Sequence, residues 1–287
     1  MGKLTGKVAL ISGTGSGIGR AAAIEFAAQG ASVYGCDVNE AGSAETVRLV
    51  SEAGGTMRSL TPVDLSTSEG ARRWVEAAAE AFGGIDILYN NASAMRNTPF
   101  GEMPDEDWYF TIANELHVVY HPTREAWPHL VSRGGGVILN MASISARYGA
   151  MFVEQAPHGA AKGAVLAFTK HLCGAGGRHG IRVNAISPGL IRTPATAPFV
   201  DDPDGPIPEL LRQRFPLGKF GHPEDVARLA AFLASDDAGY INGAEIVIDG
   251  GVTAMAGLPE RGVPALSAPD GSGSHPVLCG WLPHSPA

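Results

Sequence analysis

Four glycines at positions 13, 15, 17 and 19 separate the apolar run Val8-Ala9-Leu10-Ile11 from an alanine-rich segment that begins at Ile18. A turn free of side chains exposes backbone N–H groups at the positive end of the helix that follows, so an anion can approach closely. A dinucleotide pyrophosphate is the natural guest. Downstream stands Asp37, 24 positions after Gly13. Dinucleotide-binding chains place an acid near there to accept hydrogen bonds from the adenosine ribose hydroxyls. A carboxylate at that point repels a 2′-phosphate, and no arginine follows it immediately, so the expected cofactor is NAD and not NADP. Two plainer readings stand beside these. Glycine turns precede helices for steric reasons alone, and Asp37 can simply open a loop in which Asn39 caps the next helix.

The elements that must hold these residues follow from periodicity. Val8 to Ile11 reads as a strand buried on both faces, and Ala21, Ala22, Ala23, Ile24, Phe26 and Ala27 form a helix that Gly30 stops. Ala31 to Val38 is a second strand, Glu40 to Ala53 a helix, and Thr56 to Val63 a third strand leading to Asp64-Leu65. Thr67 to Phe82 is an amphipathic helix with Trp74 and Val75 inward, and Ile85 to Tyr89 is the fourth strand. Pro104 to Leu130 reads as one long helix, with acids at its positive end and a bend at Pro122. Gly136 to Met141, Ile181 to Ser187 and Ala244 to Ile248 complete the strands, and Pro223 to Ala234 is a further helix. This alternation predicts an α/β fold, a Rossmann-like doubly wound parallel sheet of seven strands flanked by helices. Pro194 to Phe215, rich in proline and aspartate, reads as a substrate lid. Residues 1–256 form the expected domain, and residues 257–287 a tail rich in proline, glycine and serine.

Bulk properties exclude several functions. With 287 residues, 38 glycines and 45% hydrophobic content, the chain can bury one large core. A formal charge of −8 without a clustered basic stripe argues against nucleic acid. Cys36, Cys173 and Cys279 are scattered and show no metal-ligand spacing, so neither a metal site nor a disulfide framework is expected. No apolar run reaches membrane-spanning length and no signal peptide opens the chain, so the expected setting is the cytoplasm.

The usual G-x-G-x-x-G does not fit, because counting from Gly13 or from Gly15 puts Ile18 or Arg20 where the last glycine belongs. What fits is G-x-x-x-G-x-G at Gly13, Gly17 and Gly19. That spacing, with Asn90-Asn91-Ala92-Ser93, Ser143, Lys162, Pro188-Gly189-Leu190-Ile191-Arg192-Thr193 and Asp249-Gly250-Gly251, resembles the short-chain dehydrogenase/reductase family over about 250 residues. The resemblance implies that Gly13, Ser16, Gly17, Ile18, Gly19, Asp37, Val38, Asp64, Leu65, Asn91, Lys162, Pro188, Gly189, Ile191 and Thr193 bind the cofactor. It also implies a homotetramer or homodimer packed through the long helix and the helix after His158.

The chain departs from the family at its centre. Ser93 replaces the glycine of N-N-A-G, and the tyrosine of Y-x-x-x-K is His158, which lies 15 residues after Ser143. Alignment of the long helix puts Glu115 where the family has an active-site asparagine, although a local helix bulge would turn Asn114 inward instead. The implied catalytic set is Ser143, His158, Lys162 and Glu115. In the family the lysine holds the nicotinamide ribose, the serine bonds the substrate oxygen and the tyrosine passes the proton. An imidazole, with an ordinary pKa of about 6.5, is a base at neutral pH without assistance, unlike a phenol at about 10. The nearby lysine ammonium disfavours an imidazolium, and a carboxylate at position 115 offsets that. NAD-dependent hydride transfer, oxidising a secondary alcohol or reducing a ketone with His158 as acid/base, is the leading expectation, and the imidazole favours taking a proton, as in oxidation. Non-redox chemistry such as elimination or dehalogenation with the nucleotide retained, and a non-catalytic nucleotide-binding role, stay open beside it. Met95, Tyr148, Met151, Phe152 and Phe199 suggest a partly apolar substrate pocket, and Arg96, Arg147 and Arg192 are cations that an anionic substrate could meet.

Overall fold

In the computed structural model, which describes residues 2–149, 154–202 and 215–254, seven parallel strands form one sheet in the order β3-β2-β1-β4-β5-β6-β7. The strands are β1 Val8–Ser12, β2 Ser32–Cys36, β3 Thr56–Leu60, β4 Ile87–Asn90, β5 Gly136–Met141, β6 Ile181–Pro188 and β7 Glu245–Ile248. All five residues of β1 are buried, as an apolar run covered on both faces requires. Each fully buried Leu10 or Ile11 side chain contributes roughly 1.5–3 kcal/mol.

Helices α1 Gly17–Ala28, α2 Glu40–Glu52 and α3 Ser68–Phe82 follow the first three strands. Local signals fix their ends. Asn39 and Thr67 accept hydrogen bonds from the N–H groups of Gly42 and Gly70, and α3 stops at Gly83 in the left-handed region. The long helical stretch comprises α4 Asp105–Ile112, a π-helical turn Ala113–His117 and α5 Val118–Ser132. Its regular ladder is therefore interrupted ahead of Pro122, which lies inside α5. Helix α6 is Ala156–Gly176, the short α7 is Ala197–Val200 and α8 is Pro223–Ala234.

The core lies in two layers, one on each face of the sheet. Phe26, Tyr89, Leu139, Ile186 and Leu233 pack on one face beneath α1 and α8, and Leu10, Trp74, Leu88, Ile138 and Val165 on the other beneath α3, α5 and α6. The buried Trp74 indole N–H donates to the Gly35 carbonyl at 3.0 Å, so burial leaves it paired. Because β1 pairs with both β2 and β4, the chain reverses its winding at β1, and a crevice opens beyond the carboxyl ends of β1 and β4. Among the described residues no helix is long and apolar enough to cross a membrane.

Candidate functional site

The crevice contains a cavity of about 390 Å³ lined by Gly13, Ser16, Gly17, Ile18, Gly19, Asp37, Val38, Asp64, Leu65, Asn91 and Thr193 among others. Eleven residues expected at a cofactor thus meet at one place, drawn from five segments of the chain. Gly13 and Gly17 have φ of 72° and 53°, which the turn requires and a side chain would oppose. A Cβ on Gly19 would lie 1.9 Å from the Gly13 carbonyl oxygen. Ser16 caps α1 in extended conformation without a side-chain bond, so its hydroxyl does not satisfy the first N–H groups of the helix. The glycine cradle, the open helix terminus and the carboxylate fit a dinucleotide.

Asp37 follows β2 directly. Its two carboxylate oxygens accept from the N–H groups of Gly15 at 2.7 Å and Asn39 at 2.8 Å, which fixes the charge at the cavity wall. Arg20, the cation nearest the turn, donates to the carbonyls of Gly15 and Gly42 and to the Thr46 hydroxyl, so its guanidinium braces the glycine turn against α2. Cys36 also lines the cavity, and burial pushes its thiol well up, which keeps it an inert thiol. Asn91 donates its amide to the Ser12 carbonyl, and the Ser12 hydroxyl accepts from the N–H groups of Asn91 and Ala92 at 2.9 Å each. Ser12, Arg20 and Ser93 were not among the expected site residues, and Asn114 entered only as the alternative to Glu115. For Asn114 and Ser93 the signal was present in the sequence as departures from the family pattern.

At the other end of the crevice the π-helical turn decides the register. Glu115 is turned inward and is 1% exposed; its two carboxylate oxygens lie 2.7 and 2.8 Å from His158 Nδ1, and Oε1 accepts from the Ser93 hydroxyl at 2.8 Å. Asn114 lines the nucleotide cavity, donates its amide to the Phe110 carbonyl and accepts from the N–H of Ala94 through its own carbonyl. The extra residue in the turn brings neighbouring positions to the crevice together, which a regular helix would set about 100° apart. Lys162, one turn beyond His158 on α6, is buried and donates to the Met141 carbonyl at 3.1 Å. Burial lowers its pKa from the ordinary lysine value, and the charge of Glu115 opposes that shift. Ser143 lies two residues beyond β5 and caps the 3-10 turn Ile144–Ala146, its hydroxyl accepting from the N–H of Ser145.

Four expected cofactor residues are not among those lining the cavity: Lys162, placed above, and Pro188, Gly189 and Ile191. Pro188 ends β6, the Gly189 N–H donates to Ile248, and Ile191 is buried in the core. The three arginines suggested for an anion all carry carboxylate partners: Arg96 pairs with Asp107, Arg147 with Glu245 and Arg192 with Asp201. Met95 and Tyr148 are exposed. Met151, Phe152, the Phe199 side chain, residues 203–214 of the proposed lid, Cys279 and the tail from residue 257 lie outside the described residues. No group of three His, Cys, Asp or Glu side chains among the described residues could hold a metal ion.

Comparison with known proteins places this geometry in context. Residues 13–253 match a family model described as enoyl-(acyl carrier protein) reductase. The chain is 36% identical over 256 residues to the 3-oxoacyl-[acyl-carrier-protein] reductase FabG of Thermotoga maritima, an alignment covering 87% of this chain and 99% of the relative. It is likewise 36% identical over 251 residues to D-threitol dehydrogenase of Mycolicibacterium smegmatis, covering 88% and 94%. A crystal structure of a proposed 2-deoxy-D-gluconate 3-dehydrogenase from Agrobacterium tumefaciens, with NADP bound, superimposes with a TM-score of 0.80 at 32% identity, covering 88% of this chain and 98% of that one.

Proposed function

Because the chain belongs to the short-chain dehydrogenase/reductase family, whose members compared above are oxidoreductases, we propose that it transfers hydride between a nicotinamide cofactor and a secondary alcohol or ketone with His158 as acid/base. The observation that carries this reading is the Glu115–His158 pair. A carboxylate bonded to Nδ1 fixes the imidazole in the tautomer whose Nε2 is free, and it stabilises the imidazolium that forms when Nε2 takes a proton. A surface or capping histidine would have no buried acid behind it.

When bound, the nicotinamide supplies the hydride acceptor for oxidation or the donor for reduction. The chain's own groups do the rest. The glycine turn and α1 terminus bind the pyrophosphate, the Ser143 hydroxyl orients the substrate oxygen, and Lys162 holds the nicotinamide ribose. His158 Nε2 takes the hydroxyl proton during oxidation and returns it during reduction. NAD is the proposed cofactor, on the strength of the fixed Asp37 charge and the engagement of Arg20 elsewhere. Leu116 of the π-helical turn, Tyr120 of α5 and Ala164, Ala167 and Phe168 of α6 form a mainly apolar surface flanked by His117 and His171, through which two copies of the chain pack in a homodimer or homotetramer.

Purified protein, NAD and a panel of secondary alcohols should give growing absorbance at the NADH band, with NADP giving a slower rate. Cofactor binding without any such change across the panel would defeat the redox reading, and product formed without net redox would favour elimination or dehalogenation.

A further inference from the structure

Ser93 occupies a position where the family pattern has glycine, and the catalytic scheme above gives it no part. Its surroundings define one. The backbone is anchored on both sides, since the N–H of Ala92 donates to the Ser12 hydroxyl at 2.9 Å and the N–H of Ala94 to the Asn114 carbonyl at 3.2 Å. Ser93 therefore stands at a fixed point between β1 and the π-helical turn. It is an exposed residue on the cavity wall, where its hydroxyl could be satisfied by solvent. Instead that hydroxyl donates to Glu115 Oε1 at 2.8 Å.

Glu115 needs such a donor. A carboxylate this deeply buried must be met by hydrogen bonds, and its two side-chain partners are His158 Nδ1 and the Ser93 hydroxyl. Lys162 acts on it through charge, its Nζ bond going to Met141. Ser93 donates to Oε1 while both oxygens lie within 2.8 Å of Nδ1, and because an ionised carboxylate only accepts, Nδ1 is the ring nitrogen that carries the proton in this arrangement. A glycine at 93 would remove the hydroxyl donor from Oε1 and leave the carboxylate held by the imidazole alone.

We propose that Ser93 is a positioning residue that holds the Glu115 carboxylate against His158 and so ties the nucleotide-cavity wall to the acid–base pair. This rests on the reading of His158 as the acid/base. The three departures from the family pattern at 93, 115 and 158 then form one hydrogen-bonded chain, Ser93 to Glu115 to His158, and not three separate substitutions.

The test reads the histidine ring directly. Full-length protein labelled with ¹⁵N-histidine gives long-range proton–nitrogen spectra that report which ring nitrogen is protonated, and His158 is assigned by the signal missing from His158→Gln. The wild-type ring should be protonated on Nδ1 alone. Ser93→Ala and Ser93→Gly should each give a mixture of tautomers with unchanged circular dichroism and unchanged NAD affinity by fluorescence titration, and Ser93→Thr should restore the wild-type spectrum. With whichever alcohol proves active, kcat should fall about tenfold in Ser93→Ala while KM for NAD stays constant. In a Glu115→Gln background the same change should have no further effect. A His158 spectrum identical in wild type and Ser93→Ala, or a wild-type ring protonated on Nε2, would overturn the proposal. Undiminished turnover in His158→Gln would instead defeat the acid/base reading and leave the tautomer result standing as a structural fact.

Discussion

At the scale of single residues, the proposed mechanism is built around a base that needs no activation but does need orientation. His158→Ala should lower kcat/KM by about a hundredfold or more, the usual contribution of a positioned proton acceptor. His158→Tyr is more informative. A phenol bonded to the buried Glu115 carboxylate would resist ionisation, so the single variant should be slow, and the double variant His158→Tyr/Glu115→Asn should recover activity with its optimum at higher pH. Steady-state rates across pH check both, and equal activity of the two variants would mean that Glu115 does not sense the group at 158. Lys162 supplies a second pH effect. Burial makes its ammonium lose its proton at lower pH than the ordinary 10.5, despite the opposing charge of Glu115. The folded state binds that proton less tightly than the unfolded chain, so this group's contribution to stability increases as pH rises from the lowered folded value towards 10.5. Over the same window the ammonium proposed to hold the ribose is lost, so NAD affinity should fall. Fluorescence titration should show that alkaline limb in the wild type and not in Lys162→Met.

At the scale of elements, two local devices position the chemistry. The first is the crossing of the glycine turn by α1. A methyl group on Gly19 would overlap the Gly13 carbonyl, and both belong to backbone that cannot rotate away. Gly19→Ala should destabilise the fold by about 1–3 kcal/mol, the usual range for overpacking, and should abolish NAD binding. Thermal unfolding and cofactor titration check the two effects. The second device is the π-helical turn at Ala113–His117. The sequence alignment named both Asn114 and Glu115 as candidates and raised a bulge, but the expected bend was placed at Pro122. The turn resolves the choice by serving both residues: Glu115 reaches the acid–base pair and Asn114 the cavity wall. A regular helix offers only one of two adjacent positions to a given face, and the 3.6-residue period on which the alignment relied cannot register an inserted residue.

At the scale of the whole molecule, the sheet order brings segments distant in sequence to one crevice, and its far side leaves the apolar surface of α5 and α6 uncovered. Ala167 is exposed on that surface. Ala167→Asp should convert the proposed assembly to monomers in light scattering without altering the circular dichroism of the chain. A wild-type protein that is already monomeric would refute the assembly.

What the sequence determined by itself is local and periodic. The alternation of strands and helices, the glycine turn and the acid after β2 follow from residue types at short spacing, because steric and propensity effects act within a single element, whereas Ser143 and Lys162 were singled out by the family resemblance. Three things required the tertiary structure. Arg20, Arg96, Arg147 and Arg192 had unassigned charges until the fold supplied their acceptors. That Asn114 and Glu115 both reach the crevice depends on a π-helical turn that the 3.6-residue period does not register. The partner of Ser93 lies 22 residues away along the chain and 2.8 Å away in space. Hydrogen bonds between separate elements depend on how those elements pack, and packing is a property of the whole core.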